Sequence, residues 1–375
     1  MVRILHSADW QMGLRARHVA QVASSVRDAR LEAARNVIEA ANRHQVDAVV
    51  LAGDIFEDNL VEDRLVHQVV SVLEGSRAPV FVLPGNHDAL TPDAVYHRAS
   101  WKQRPARVFM LDGDAPVPIP GTSAVLLAAP LRQKKGMKDP TAQWRARADV
   151  DALRVGVAHG SLRIEGRHAA DDFPIALDAV SRVGLDYLAL GHWHGQYVHG
   201  ERTAYAGAHE ATKFGEDGSG QALLVELASR GAPPRLTPVS TGVLQWRTVE
   251  LDLGQDAERE AERVLGLVRD TVQPGRTLLR LRTTGTSSEA ATPVLERLEE
   301  GLLGRGALHV VLDRHDIARA EVEGVLAEVA ASSPLVASLL KELSGPSPPG
   351  LADASEAGRL AARRLLSELV LEAWR

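Results

Sequence analysis

The chain has 375 residues, no cysteine and a formal net charge of −6 at pH 7. These figures exclude disulfides, thiolate metal sites and cysteine nucleophiles, and they argue against a strongly basic protein that coats DNA. The length suits two or three domains; no stretch is apolar enough to span a bilayer, and a strand starting at Val2 leaves no signal peptide, so a cytoplasmic protein with no membrane association is expected.

In chain order, Val2 to His6 reads as a strand that ends in Ser7-Ala8-Asp9-Trp10-Gln11. Apolar residues at helical spacing (Val26, Ala29, Ala33, Val37, Ile38, Ala41) predict a helix over residues 24–43. Residues 47–52 form the next strand, ending in Gly53-Asp54-Ile55-Phe56, and residues 61–74 a second helix. Val80 to Leu83 is a third strand, cut off by Pro84-Gly85 and followed by Asn86-His87-Asp88. Strand–helix–strand–helix–strand implies parallel strands with right-handed crossovers, so Asp9, Asp54 and Asn86-His87 fall on one sheet edge, where open α/β sheets place ligands.

The second half changes character. Short strands are expected near 108–110, 117–119 and 124–127; residues 153–158 end at His159, and residues 186–190 end at Gly191-His192-Trp193-His194. A short helix near 175–182 and further strands near 197–199, 203–206, 221–227 and 236–249 complete a second sheet facing the first. The expected fold class is α/β: two facing mixed sheets flanked by helices.

Five strand ends therefore carry metal-capable side chains: Asp9 with Gln11, Asp54, Asn86 with His87, His159, and His192 with His194. An isolated Asp or His at such a place is usually a cap or a satisfied polar group. Five in succession, each directly after an apolar strand, point instead to a shared site with mixed N and O donors, which suits Mn, Mg, Fe or Zn. Two cations roughly 3.5–4 Å apart can clamp the attacking and leaving oxygens of a phosphoryl displacement and lower the pKa of a water, so no side-chain nucleophile is needed.

In order and spacing these blocks resemble those of the calcineurin-like metallophosphoesterases; Gly-Asn-His-Asp (85–88) with Gly-His-x-His (191–194) is the most specific pair. The opening Asp9-Trp10-Gln11-Met12-Gly13 and Gly53-Asp54-Ile55-Phe56 resemble the SbcD-type nucleases of double-strand-break repair. The resemblance covers about residues 1–315, and after about 245 only by pattern. It implies one metal on Asp9, Gln11, Asp54 and His194, and a second on Asp54, Asn86, His159 and His192. It gives His87 contact with the scissile phosphate and protonation of the leaving oxygen. Asp88 takes either an outer role that fixes local hydrogen bonds or a purely structural one. The chain departs from the pattern at Gln11, where the family usually has His, and at Glu57, where some relatives have His; the neutral Gln11 oxygen is a weaker donor than imidazole.

The implied cofactors are two divalent ions, most readily Mn2+, with Mg2+, Fe2+ or Zn2+ as alternatives. The implied activity is 3'–5' exonuclease action on duplex ends, with endonuclease action on single strands left open. The implied partners are DNA and an SbcC-type coiled-coil ATPase, with a homodimer also open. Two other readings stand: a generic phosphoesterase acting on small phosphodiesters, nucleotides or phosphoproteins, and a metal-poor scaffold with Gln11 as its lesion.

For holding DNA, residues 130–147 form a basic loop with Arg132, Lys134, Lys135, Lys138, Trp144, Arg145 and Arg147. Cations neutralise phosphates and an aromatic can stack on a base; the alternative is a solvated loop whose Trp packs on the domain. His6 is expected to be buried, and His209 to lie in a plain loop. The expected domains are residues 1–244, an α/β cap at 245–315, and a helical region at 316–375. In the last of these, apolar stripes (Leu335, Val336, Leu339, Leu340, Leu343; then Leu360, Leu365, Leu366, Leu369, Val370, Trp374) pack on the chain itself or on a partner.

Overall fold

In the computed structural model the chain divides into two compact units, Met1–Trp246 and Arg247–Arg375. The structure describes residues 1–145, 152–166, 169–253, 256–269, 271–284, 286–287, 291–313 and 318–344, with 358–359, 362–363, 365–367 and 369–370 near the end. Arg147, Leu360 and Trp374 lie outside the described residues.

The first unit runs β1 (Val2–Ser7), α1 (Ala23–Arg43), β2 (Ala48–Ala52), α2 (Asp63–Glu74), β3 (Val80–Leu83), α3 (Ala99–Lys102) and β4 (Val108–Met110). It continues through β5 (Val117–Pro118), β6 (Ala124–Ala129), β7 (Leu153–His159), α4 (Ala179–Val183), β8 (Tyr187–Gly191), β9 (Tyr197–His199), β10 (Thr203–Tyr205), β11 (Gln221–Leu227) and β12 (Arg235–Ser240). Two six-stranded sheets result, ordered β12-β11-β1-β2-β3-β4 and β5-β6-β7-β8-β10-β9. β1 to β4 pair in parallel, as do β6, β7, β8 and β10, while β11 is antiparallel to both β1 and β12.

Period-two alternation sets the layers. Ile4, Val50, Phe81, Leu126, Val155 and Ala189 meet between the sheets. Leu5, Val49 and Val82 face the opposite way, against Val37 and Ile38 of α1 and Val66, Val69 and Leu73 of α2. On the far side of the second sheet, Ala158 and Leu190 pack with Ala179 and Val183 of α4. The architecture is the expected pair of facing mixed sheets flanked by helices. Both faces of the parallel strands are buried, which explains their near-continuous apolar runs.

Sheet membership differs from expectation in three places. β4, β11 and β12 belong to the first sheet rather than the second. β4 follows a crossover and adds beside β3, and β11 returns to pair with β1, Val2 opposite Leu227. The partner of β11 is more than 200 residues away, and local pattern carries no information on pairing. The expected strand over 236–249 is also two strands, interrupted at Thr241–Leu244.

The second unit holds a three-stranded sheet ordered β13 (Gln245–Asp252), β14 (Thr277–Thr284), β16 (His309–Asp313), with α5 (Ala257–Arg269) and α6 (Ala291–Gly304). Val264 and Val268 of α5 and Leu295, Leu298 and Leu302 of α6 share its core with Leu279 and Leu281. A short pair, β15 (Thr286–Ser287) with β17 (Ala318–Arg319), and helices α7 (Ala320–Ser332) and α8 (Pro334–Ser344) follow. Leu335, Leu365 and Leu369 of the apolar stripes are exposed. Among the described residues, no helix is long and apolar enough to cross a membrane.

Candidate metal centre

The chain leaves its strands by unusual backbone turns. Asp9, Gln11, Asp54 and His192 all have positive φ, at 56°, 40°, 54° and 108°. Such conformations cost on the order of 1–3 kcal/mol each for residues other than glycine. Those of Asp9, Gln11 and Asp54 are held by a zip between the loops after β1 and β2: Asp9 N–H donates to Gly53 C=O (3.1 Å), Gln11 N–H to Asp54 C=O (2.8 Å) and Met12 N–H to Ile55 C=O (2.9 Å). The buried Arg30 of α1 donates to the carbonyls of Trp10 and Glu210 and braces this loop from beneath. Two glycines make room for the side chains. A Cβ on Gly53 would lie 2.2 Å from His159 Nδ1, and one on Gly85 would lie 2.1 Å from Asp54 Oδ1.

Asp54, His159 and His192 present ligand atoms that all lie within 4.8 Å of one another. Asn86 Oδ1 is 2.9 Å from His159 Nε2 and 3.1 Å from His192 Nδ1, and Asp54 Oδ2 is 3.3 Å from His159 Nε2. Each imidazole has committed its other nitrogen. His159 Nδ1–H donates to Ala52 C=O (2.9 Å), and His192 Nε2–H donates to Asp172 Oδ1 (2.7 Å). With those protons placed, two ring lone pairs, an amide oxygen and a carboxylate converge on one point. Acceptors facing acceptors are stabilised by a cation, so the donor set fits a divalent metal with mixed N/O ligands.

Asp9 stands in the same cluster. Its carboxylate accepts the His192 N–H at 3.0 Å, and it interacts electrostatically with His159, His194 and Asp54. His194 donates from Nδ1 to Glu216 Oε1 (2.7 Å), which leaves Nε2 to ligate. Gln11 is 5% exposed and is tied to Asp54 through its backbone.

The electrostatics agree with this donor set. Burial acts to raise the Asp54 carboxyl, but His159 and His87 outweigh it and hold it well below the ordinary range. Burial opposes charge on His159, yet Asp54 and Asp9 push that imidazole up to about 9. Burial raises the Asp9 carboxyl. Burial is likewise outweighed at Glu216, which the bond from His194 brings down to about 2.

His87 differs from these groups. Its ring is 37% exposed, Nδ1–H donates to Glu57 C=O (2.8 Å), and Nε2 lies 4.0 Å from Asp54 Oδ2. Asp88 is fully buried: Oδ1 accepts Gly85 N–H (2.7 Å), and Oδ2 accepts Ile55 N–H (2.8 Å), Phe56 N–H (3.1 Å) and the Tyr96 hydroxyl. Both oxygens are spent on holding the loops after β2 and β3 together.

The family model for calcineurin-like phosphoesterases matches residues 2–196, which contain every strand end described above. The chain belongs to this family. The Bacillus subtilis (strain 168) uncharacterized metallophosphoesterase YhaO is similar to this phosphoesterase, 28% identical over 185 residues that cover 46% of this chain and 43% of that protein. The SbcD component of the nuclease SbcCD of Escherichia coli K12 is 33% identical over 93 residues, 24% of this chain and 22% of its own. Its Bacillus subtilis namesake is 26% identical over 278 residues, 61% of this chain and 67% of its own. The phosphoesterase thus spans less than half the length of the first two relatives.

The basic loop of this phosphoesterase is bonded through Gly136 to Asp171 (2.9 Å) and Phe173 (2.8 Å). Lys134, Lys138, Arg132 and Arg145 are exposed; Arg132 donates to Asp112 C=O (2.8 Å), Arg145 to Ala142 C=O (2.7 Å), and Lys135 pairs with Asp171 (2.8 Å). Of the two expectations for Trp144, the structure has it packed on the domain rather than free to stack on a base. It is 5% exposed, donates to Ala128 C=O (3.0 Å) and packs with Ile175 and Leu188. His209, expected in a plain loop, is fully buried against Trp10 at a ring separation of 5.3 Å. Asp172 and Glu216, which accept from His192 and His194, are not marked by the sequence. Neither follows a strand or repeats at a fixed spacing; only tertiary folding brings them to the rings.

Proposed function

We propose that this metallophosphoesterase is a metal-dependent DNA nuclease of DNA repair, a 3'–5' exonuclease on duplex ends. The observation that carries the phosphodiester chemistry is the half-exposed His87 ring beside a buried cluster of converging acceptors. Asp9, Gln11, Asp54 and His194 would hold one divalent ion, and Asp54, Asn86, His159 and His192 the second, with Mn2+ the most suitable. Such ions supply Lewis acidity toward a phosphoryl oxygen and lower the pKa of a water. The protein's part is to fix the donors in place, keep a carboxylate between the two sets, and hold the His87 proton toward the leaving oxygen. In hydrolysis the water oxygen bonds to phosphorus as the P–O bond to the leaving oxygen breaks; the departing alkoxide takes a proton from His87, the water gives its proton to solvent, and His87 regains one from solvent. Asp88 keeps the loop that carries His87 rigid.

The step from diester to DNA is supported by two relatives named as nucleases and by exposed cations at Lys134 and Lys138. In this reading residues 245–315 act as a cap that sorts DNA ends, residues 316–375 dock a coiled-coil ATPase of the SbcC type, and the protein works in the cytoplasm. A second reading, a phosphoesterase of small diesters, nucleotides or phosphoproteins, is favoured by the similarity to YhaO and by the net charge of −6. Digestion of linear duplexes labelled at the 3' or the 5' end, with Mn2+ and beside bis(p-nitrophenyl) phosphate, tests the choice. Early release of the 3' label supports the nuclease. Intact DNA alongside a hydrolysed small diester supports the second reading.

A further inference from the structure

Asp172 is placed by two loops that belong to different parts of the second sheet. On one side Gly136 N–H donates to Asp171 C=O (2.9 Å) and Phe173 N–H donates to Gly136 C=O (2.8 Å). A Cβ at Gly136 would meet the Phe173 ring at 2.4 Å, so this contact requires glycine, and the Lys135–Asp171 pair closes it from outside. On the other side Ser161 N–H donates to Asp172 C=O (3.1 Å), two residues beyond His159.

The side chains complete a one-way relay. The indole Nε1–H of Trp193 can only donate, and it does so to Ser161 Oγ at 2.9 Å. The Ser161 hydroxyl therefore spends its proton on Asp172 Oδ2, and the carboxylate is left as an acceptor toward both neighbours. Its other oxygen then takes the Nε2–H of His192, and the Nδ1 lone pair of that ring is turned toward Asn86 and the cluster. Trp193 is itself held by stacking on Tyr205, with ring centres 4.4 Å apart and planes 15° apart.

We infer that Asp172 is a positioning residue for the metal centre: the Trp193–Ser161–Asp172 relay selects the His192 tautomer that presents Nδ1, and the clamp at Gly136 ties metal retention to the base of the basic loop. The inference rests on the reading of Asp54, Asn86, His159 and His192 as a metal site. A ring orienter of this kind is worth on the order of 10–100-fold in metal affinity.

The test uses the full chain, stripped of metal, with Mn2+ alone as the probe. Nitrogen-15 NMR of labelled histidine reports the tautomer, the His192 signal being assigned by its loss in His192→Asn. Calorimetry reports Mn2+ affinity. The native protein is expected to show His192 protonated at Nε2. Asp172→Ala is expected to admit the Nδ1–H form and weaken one Mn2+ site by about 10–100-fold. Asp172→Asn, whose amide oxygen still accepts from Nε2–H, is expected to restore the tautomer and most of the affinity, and it serves if the alanine variant does not fold. Gly136→Ala, far in sequence from any ligand, is expected to weaken the same site. An unchanged tautomer in folded Asp172→Ala, or native Mn2+ affinity in that variant, would overturn the inference. Native protein that takes up no Mn2+ would instead sink the metal-site reading, and that result is seen before any substitution is made.

Discussion

The backbone N–H of His87 donates to Asp54 Oδ1 at 2.9 Å, so the half-exposed ring is anchored through its main chain to a central carboxylate of the cluster. Replacing the ring leaves that bond in place. His87→Gln is therefore expected to retain Mn2+ affinity while turnover of a phosphodiester falls by about 10²–10⁴-fold, the usual worth of a positioned general acid. Steady-state kinetics beside Mn2+ calorimetry checks both. A variant that lost metal and activity together would make His87 a ligand rather than a proton donor.

Asp88 is expected to act through stability. Its loss as Asp88→Ala leaves three backbone N–H groups and the Tyr96 hydroxyl without their acceptor. Several buried donors stranded together cost on the order of 3 kcal/mol or more, whereas Tyr96→Phe removes one partner and costs about 1 kcal/mol. Urea midpoints measure both. An Asp88→Ala protein with a native midpoint and no activity would assign the carboxylate to the chemistry.

His6 gives a pH dependence unrelated to the metal. It is fully buried on the inner face of β1, bonded to the Tyr187 oxygen at 2.8 Å, and burial pushes its imidazole down from 6.5 to about 3. The unfolded chain takes up this proton near 6.5 and the native chain does not. The contribution is therefore complete above that pH and is lost as the pH falls toward 3, at about 1.4 kcal/mol per pH unit. His6→Phe is expected to flatten the stability profile by one proton over this window. Identical slopes in the two proteins would show that the ring titrates in the fold.

Much of this architecture is legible in the chain because the polar residues of the cluster gather at the ends of apolar strands. Asp9, Asp54, Asn86, His159 and His192 are where a polar residue ends a buried run, and parallel pairing brings such ends to one edge. What is not legible depends on partners remote in sequence. Pairing of β11 with β1 links residues more than 200 positions apart, and Asp172 reaches His192 across 20. Trp144 shows the limit of reading composition: among cations it looks like a stacking platform, yet its indole N–H is spent on a backbone carbonyl in the core.

The basic loop accordingly separates into two kinds of residue. Lys134→Ala and Lys138→Ala are each expected to weaken DNA binding uniformly across sequences and to lower the salt slope by about 0.9 if each neutralises one duplex phosphate. Trp144→Ala is expected to cost about 3–5 kcal/mol of stability as a buried aromatic and to leave the salt slope unchanged. Fluorescence anisotropy over a salt series, with thermal unfolding alongside, checks the division. Loss of DNA affinity in a Trp144→Phe protein of native stability would return the indole to the interface.

The most direct measurement is Mn2+ binding to metal-stripped protein, native beside Asp54→Asn, with phosphodiester hydrolysis followed in the same samples. The account predicts that the native chain binds Mn2+ and regains hydrolysis in step with it, while Asp54→Asn, folded but without its charge among His159, His87 and Asp9, does neither. Equal binding and turnover in the two proteins, or hydrolysis by native protein that holds no metal, would contradict it.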